Sequence, residues 1–414
     1  MTPTLATEPA CTGAEADAAP ATADAAPTAA PAPAPGSARR LRAEPRPLSA
    51  IAPETWDGLA AANTWATPFS RWAFHRAWWD AYGATAHEQT LVVVDADAPA
   101  PAPPIAIVPL MHRHQVEPTD AATHTTMRQA TGAALTPVEP HAKAVFFGAS
   151  YHADYATVLT AATDQSDVAD AVVEWLATTG ADASHPAPWD VVDLRRLRCG
   201  DLAADALAGS FGRREIAADW TLNFEREDVC PVVILPEGAD FEGYLATLGK
   251  HDRHEIRRKI RRAEAAGEVR LEDSADPVAD LDAFIDLHQK RFGGDGLFPP
   301  TEGGAASRLF FRRLFELLGP DGAIRLAFLS VAGRQVAAGV WFETVDGFLY
   351  FNAGVDPEAR DLSPGIVLTA RVIERAISAG KRRLDFLRGN EPYKYVWGAR
   401  DEPIQRLLVR RKAT

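Results

Sequence analysis

FLYFNAGVDPEARDLSPGIVLTARVIERAISAGKRRLDFLRGNEPYKYVW, residues 348–397, holds three physical units in succession. The aromatic run Phe348, Leu349, Tyr350, Phe351 and Asn352, set between Gly347 and Gly354, predicts a strand. A loop follows over 354–363. Pro364 then opens a helix whose broad apolar face is made by Ile366, Val367, Ala370, Val372, Ile373, Ala376 and Ile377. Proline suits the first helical position because the N–H it lacks would have no partner there, and Ser363 before it is a favourable N-cap. Gly380 ends the helix, and residues 384–387 read as a second buried strand with one acid in it, Asp385. Together these make a β-α-β unit, in which the exposed N–H groups of the helix start are a natural seat for phosphate or carboxylate.

Upstream of this unit, residues 323–331, 335–343 and 347–353 predict a three-stranded meander, with turns at Gly333 and at Asp346-Gly347. Helices are expected over 241–248, 250–266, 280–292 and 307–318 from their apolar spacing. The first half offers helices over 54–62 and 67–83, the latter with Phe74, Trp78 and Tyr82 on one buried stripe. Strands are expected over 91–94, 105–111, 144–147 and 189–194, with helices over 154–162 and 167–178 between the last two. Each half ends with a helix, a break, and an Asp-bearing strand followed by Arg: Asp193 with Arg195, Asp385 with Arg388. That recurrence points to a duplicated domain.

At 414 residues the chain has room for two or three domains. Residues 1–46 are mostly Ala, Pro and Thr; they read as a disordered tail, followed by domains over 47–231 and 232–414. A net charge of −13 argues against general affinity for nucleic acid or anionic membrane. Cys11, Cys199 and Cys230 are too few and too scattered for a disulfide framework or a zinc site. No segment is long and uncharged enough to span a bilayer, and a cytoplasmic location is expected.

The element order of the second half resembles the GNAT acyltransferase superfamily. Residues 244–397 are similar to the FemAB-like, cellulose-biosynthesis (CelD-type) acetyltransferases. The likeness rests on YLATLGKHDRHEIRRKIRRAEAAG, FIDLHQKRF, VAGRQVAAGVWF, YFNAGVDPEARDLSPGIVL and LDFLRGNEPYKYVWG, in that order. It extends to the first half in TPFSRWAFHRAWWDAYG and IAIVPLM. The resemblance implies an α/β (α+β) fold of two tandem GNAT-like domains, each a mixed, mainly antiparallel sheet flanked by helices. It also implies transfer of an acyl group from acyl-coenzyme A, acetyl-coenzyme A above all, to an amine or hydroxyl of a small molecule or saccharide. More distant Fem transferases share the architecture and use aminoacyl-tRNA.

Within that frame the donor seat corresponds to the loop from Arg360 to Ile366, with Arg360, Ser363, Gly365 and Ile366 holding pyrophosphate and Asn352 on the strand before it. The loop departs from the family pattern: it has one glycine rather than two, and Pro364 removes a donor. Asp385 is the candidate general base, because a partly buried carboxylate has a raised pKa; the alternative is a structural ion pair with Arg388, Arg291 or Lys394. Tyr393 is the candidate acid for the departing thiolate, and Lys394 a candidate for the donor or the oxyanion. His288 and Arg291 share a helix face and are candidates at the acceptor site, the histidine as a proton shuttle or as a structural residue. Arg388 is a further substrate-binding candidate.

The helix over 250–266 concentrates Lys250, Arg253, Arg257, Arg258, Lys259, Arg261 and Arg262. It reads either as a solvated face or as a seat for the 3′-phosphate of coenzyme A, an acidic saccharide or a tRNA end, with Arg257 central. No HExxH, C-x-x-C or G-x-S-x-G pattern is present, so direct transfer without metal is expected. The competing expectations are a Fem-type aminoacyl-tRNA transferase and a non-catalytic component of exopolysaccharide assembly.

Overall fold

The computed structural model describes residues 39–113, 135–139, 141–181, 188–215, 220–293 and 296–412. The first half contains β1 (Leu41–Pro45), α1 (Pro53–Ala61), α2 (Trp72–Tyr82), β2 (His87–Glu88), β3 (Leu91–Asp95), β4 (Ala106–Val108) and β5 (Leu110–Arg113). It continues with β6 (Ala144–Phe147), β7 (Leu159–Thr160), α3 (Gln165–Ala181), β8 (Val191–Arg198) and α4 (Leu202–Glu215). Then come β9 (Trp220–Ile234), α5 (Phe241–Thr247), α6 (Lys250–Ala266), β10 (Val269–Asp273), α7 (Leu281–Phe292) and α8 (Glu302–Leu318). The chain ends with β11 (Ile324–Val331), β12 (Arg334–Glu343), β13 (Gly347–Val355), α9 (Pro364–Ser378), β14 (Arg383–Asp385), α10 (Pro392–Tyr395) and β15 (Arg400–Arg411).

Three expectations change. The tail expected through residue 46 ends earlier, because β1 pairs along its whole length with β3 and its Leu41 and Ala43 pack on the first-half core; residues 1–38 lie outside the described residues. The strand expected over 105–111 is cut at Pro109, which has no N–H for a ladder, so β4 joins a four-stranded sheet and β5 a larger one. The helix expected over 154–162 is absent. Instead Tyr155 hydrogen-bonds across to the second half, and β7 pairs with β4.

Among the described residues the larger sheet has 11 strands in the order β10-β11-β12-β13-β14-β9-β15-β8-β6-β5-β2. Its pairs are antiparallel except β13 with β14 and β6 with β8, and those two exceptions are equivalent. In the first half Ala144, Val145 and Phe146 face Val191, Val192 and Asp193. In the second, Gly347, Phe348 and Leu349 face Arg383, Leu384 and Asp385. Duplication is thus visible in the register, with Asp193 and Asp385 at the same last paired position.

The halves also exchange strands. β9 leaves the first half to pair with β14, β15 returns to pair with β8, and β9 and β15 zip together from Trp220↔Arg411 to Val232↔Arg400. A boundary at 231/232 therefore falls inside β9. The apolar core is shared too: Phe69 and Phe74 meet Phe342 and Phe310 edge-on, at 5.4 Å in each case, and such ring pairs add about 0.5–1.5 kcal/mol beyond their buried area.

Candidate functional site

Pairing of β13 with β14 stops at Leu349↔Asp385, although β13 runs on to Val355. Beyond that point the β14 chain stays with β9, since Phe386 N donates to Pro231 O at 3.0 Å and Gly389 N to Val229 O at 2.9 Å. Opposite, the register of β12 with β13 shifts between Val340 and Trp341, leaving Phe351 as an extra residue. A bulge of this kind bends its strand and re-aims its groups. The two parallel strands consequently part, and Asp385 stands at the apex of the gap.

Asp385 is buried. Its Oδ2 accepts from the Tyr155 hydroxyl at 2.7 Å and its Oδ1 from Leu387 N at 2.8 Å. The nearest cation is Arg383, 3.7 Å away and itself bound to Glu402 at 2.9 Å. None of the three expected partners, Arg388, Arg291 or Lys394, pairs with it. Burial pushes its pKa up to about 6, against the pull of the Tyr155 hydrogen bond, the Arg383 charge and the Leu387 amide. Tyr155 is buried as well, and burial followed by the neighbouring carboxylate drives its own pKa well above the usual phenol range. The carboxylate opens on a cleft of about 810 Å³ between the halves, whose lining includes Tyr155, Arg198, Leu349, Arg383 and the 343–346 turn.

Asp193 supplies the contrast. It accepts from Arg406 at 2.6 and 2.8 Å and from Arg195 at 3.0 Å. Burial pushes this carboxyl up, but the two guanidinium groups outweigh it and hold the pKa below the usual range. Arg406 lies two residues from Leu408, the partner of Asp193 on β15. The matching place on β9, two residues from Val232, is Cys230. One acid is tied off by an arginine on the exchanged strand; its twin faces a thiol and a phenol.

On the far face of β14, Tyr393 rests edge-on against Phe386 at 6.1 Å. Burial and then Glu391 raise its pKa to about 12, with Arg291 opposing them, so it is protonated at neutral pH. Arg291 is exposed, its guanidinium over the Phe292 ring at 4.6 Å, and it has no ion pair among the described residues. At the end of β13, Asn352 turns its Oδ1 back to accept from Ala353 N at 2.8 Å. Gly365 lies against Val355, with Ile366 half-buried beside it.

Ser363 does not cap α9. Its backbone is left-handed (φ 52°), without a capping bond, and its Oγ instead accepts from Arg262 at 2.6 Å. That arginine, and not Arg257, brings the basic helix to the helix start; Arg360 is exposed nearby on the 357–362 turn.

The remaining expected residues have other work. Lys394 is buried and donates to the carbonyls of Leu387, Arg388 and Gly389 at 2.9–3.0 Å, with Glu391 at 2.9 Å; it fastens the loop after β14 and has no proton left for an oxyanion. His288 is buried among Phe284, Phe292 and Phe298, where burial lowers its pKa to about 4. Its backbone packs so closely on Gly354 that a Cβ there would collide, so this histidine belongs to the packing of α7 on β13. Arg257 pairs with Glu242, and Arg388 bridges the halves through Asp154 at 3.1 Å. Among the described residues no cluster of three His, Cys, Asp or Glu side chains is placed to hold a metal ion, and no helix is long and apolar enough to cross a membrane.

Comparison with known proteins agrees with this architecture. The family profile described as acetyltransferase (GNAT) domain matches residues 250–395, from α6 through α10. Among solved structures, FemX superposes with a TM-score of 0.53 at 11% identity, over 86% of this chain and 96% of that one. A conserved protein of unknown function from Bacteroides thetaiotaomicron VPI-5482 gives 0.50 at 13%, over 87% and 98%. A tandem GNAT protein from the clavulanic acid biosynthesis pathway gives 0.46 at 10%, over 90% and 99%. No curated protein sequence matches. The fold is that of two tandem GNAT-like domains, the second similar to the acetyltransferase domain.

Proposed function

We propose that this chain is an acyltransferase of the FemAB-like, CelD type, moving an acyl group from acyl-coenzyme A to an amine or hydroxyl of a small molecule or saccharide. The observation that supports it best is Asp385: a carboxylate held at a pKa of about 6, where two parallel strands part, on the wall of a cleft. A base with a pKa near the working pH is what proton removal from an attacking nucleophile needs. The acceptor enters from the cleft and loses its proton to Asp385. Its nitrogen or oxygen bonds to the thioester carbonyl carbon, and the C–S bond breaks. Tyr393, on the far face of β14 and protonated at neutral pH, is assigned the proton transfer to the departing thiolate.

For the donor, the backbone of β13 beyond Leu349 has no strand partner on the β14 side among the described residues, which suits an extended arm bearing amides. Arg262 and Arg360 at the start of α9 suit its phosphates. The test is thiol release from acetyl-coenzyme A across an acceptor panel. Asp385→Asn and Tyr393→Phe should each lower turnover by about 10²–10⁴. If both stay within a few-fold of the parent, the assignment is wrong. A thermal-shift screen of acetyl-, succinyl- and long-chain acyl-coenzyme A against aminoacyl-tRNA identifies the donor independently. Stabilisation by the RNA alone would move the reading to a Fem-type transferase.

A further inference from the structure

We infer that the acceptor is a primary amine bearing a carboxylate a short spacer away, an amino acid or a compound ending like one, and that Arg198 of the first half binds that carboxylate; this rests on acyl transfer at Asp385. Three arginines line the cleft, and two are already committed. Arg71 pairs with Asp321 at 3.0 Å and Asp57 at 3.7 Å, and Arg383 pairs with Glu402 and Asp385. Arg198 has no carboxylate within ion-pair distance among the described residues. One of its nitrogens donates to the Trp65 carbonyl. Its charge acts on the buried Asp201, whose Oδ1 accepts from Ala203 N at 3.0 Å.

Its guanidinium is held in place by aromatic rings, 5.0 Å from Trp65 and 4.9 Å from Tyr155. Cation–π contact fixes such a group without neutralising it, and its remaining N–H donors suit a carboxylate. The phenol of Tyr155 then measures the distance. Arg198 lies over its ring and Asp385 takes its hydroxyl, so the cation sits on the face of the ring and the acid at its hydroxyl, with one aromatic ring between them. An amine seated at Asp385 thus places a carboxylate a few bonds away under Arg198.

Calorimetry on the full chain with matched pairs, β-alanine against β-alaninamide and L-lysine against L-lysinamide, tests this without any donor. At least one acid should bind about tenfold or more tightly than its amide. Arg198→Met should collapse that ratio to near one, and Arg198→Lys should keep part of it. Arg198→Met weakening acid and amide alike would mean that the arginine only ties Trp65 to Tyr155, overturning the inference. So would amides binding as well as acids, or no binding of either acid at millimolar concentration. Thiol release from acetyl-coenzyme A with an uncharged amine, in a protein that shows no acid preference, would leave the proposed acyl transfer standing and remove only this inference.

Discussion

Replacing Asp385 by Asn should make the protein more stable at neutral pH and leave that gain behind in acid. The carboxyl has a pKa of about 6 in the folded protein against 3.8 when unperturbed, a difference of roughly two units or about 3 kcal/mol at 1.36 kcal/mol per unit. The sign follows from proton binding. Below about pH 3 the group is neutral in both states and costs nothing. Between pH 4 and 6 the unfolded chain releases its proton while the folded one keeps it, so stability falls as pH rises, and above pH 6 the full penalty is present. Asparagine never ionises.

Its own cost, one acceptor in place of two for Tyr155 and Leu387 N, is independent of pH and cancels when the difference between variant and parent is followed across pH. At about 2.1 cal/mol/K per residue of unfolding entropy, about 3 kcal/mol is roughly 3.5 °C in Tm for a chain of this size. Differential scanning fluorimetry at pH 4 and pH 7.5 should therefore show the variant gaining about 3 °C on the parent between the two. A flat difference would mean that Asp385 does not titrate near 6, and its role as base would lose its physical ground.

Tyr155→Phe removes a hydrogen bond that favours the carboxylate, so the acidic limb of the kcat/KM profile should move up by about one pH unit, whereas a merely structural role would lower the whole profile. Arg406→Leu strands the buried Asp193 with one cation and should cost about 3–5 kcal/mol, with Asp193→Asn recovering much of it in urea melts. Expressing residues 232–414 alone should give unfolded protein by circular dichroism, because β15 would lose β8 and most of β9; a soluble, cooperatively melting fragment would refute the strand exchange.

The unit from β13 to β14 was legible because its signals are local: an aromatic run, a proline, an apolar stripe and a glycine. What escaped was non-local. The segment RDEPIQRLLVRR carries no strand expectation, yet it forms β15 at the centre of the sheet. Its Arg406 is buried only because Asp193, 213 residues earlier, meets it. Tyr155 stands 230 residues from the acid it serves, and nothing near it in sequence marks it. Lys394 carried a misleading signal, since a lysine that satisfies three carbonyls looks in sequence like one free to meet a ligand. Ser363 likewise has the composition of a cap but a left-handed backbone, which turns its hydroxyl to Arg262.

The perturbation of Asp385 has to be held in place, since a carboxylate costing about 3 kcal/mol relaxes if the halves separate and it becomes fully hydrated. Two features oppose that separation. Phe69 of the first half lies between Phe74, Tyr155, Phe342 and Phe351, at ring distances of 5.1–6.2 Å. To swing the halves apart and wet the acid would pull those rings from a shared core. The strand exchange adds a second lock, because separation would also break the ladder between β9 and β15. Asp193 shows what the same fold does with a carboxylate at the same register when no such perturbation is kept: an arginine arrives on the neighbouring strand and the pKa falls. The first half thus serves the second by supplying a tyrosine and a rigid wall, and the place where Cys230 stands in the position of Arg406 leaves Asp385 the acid that is free to take a proton.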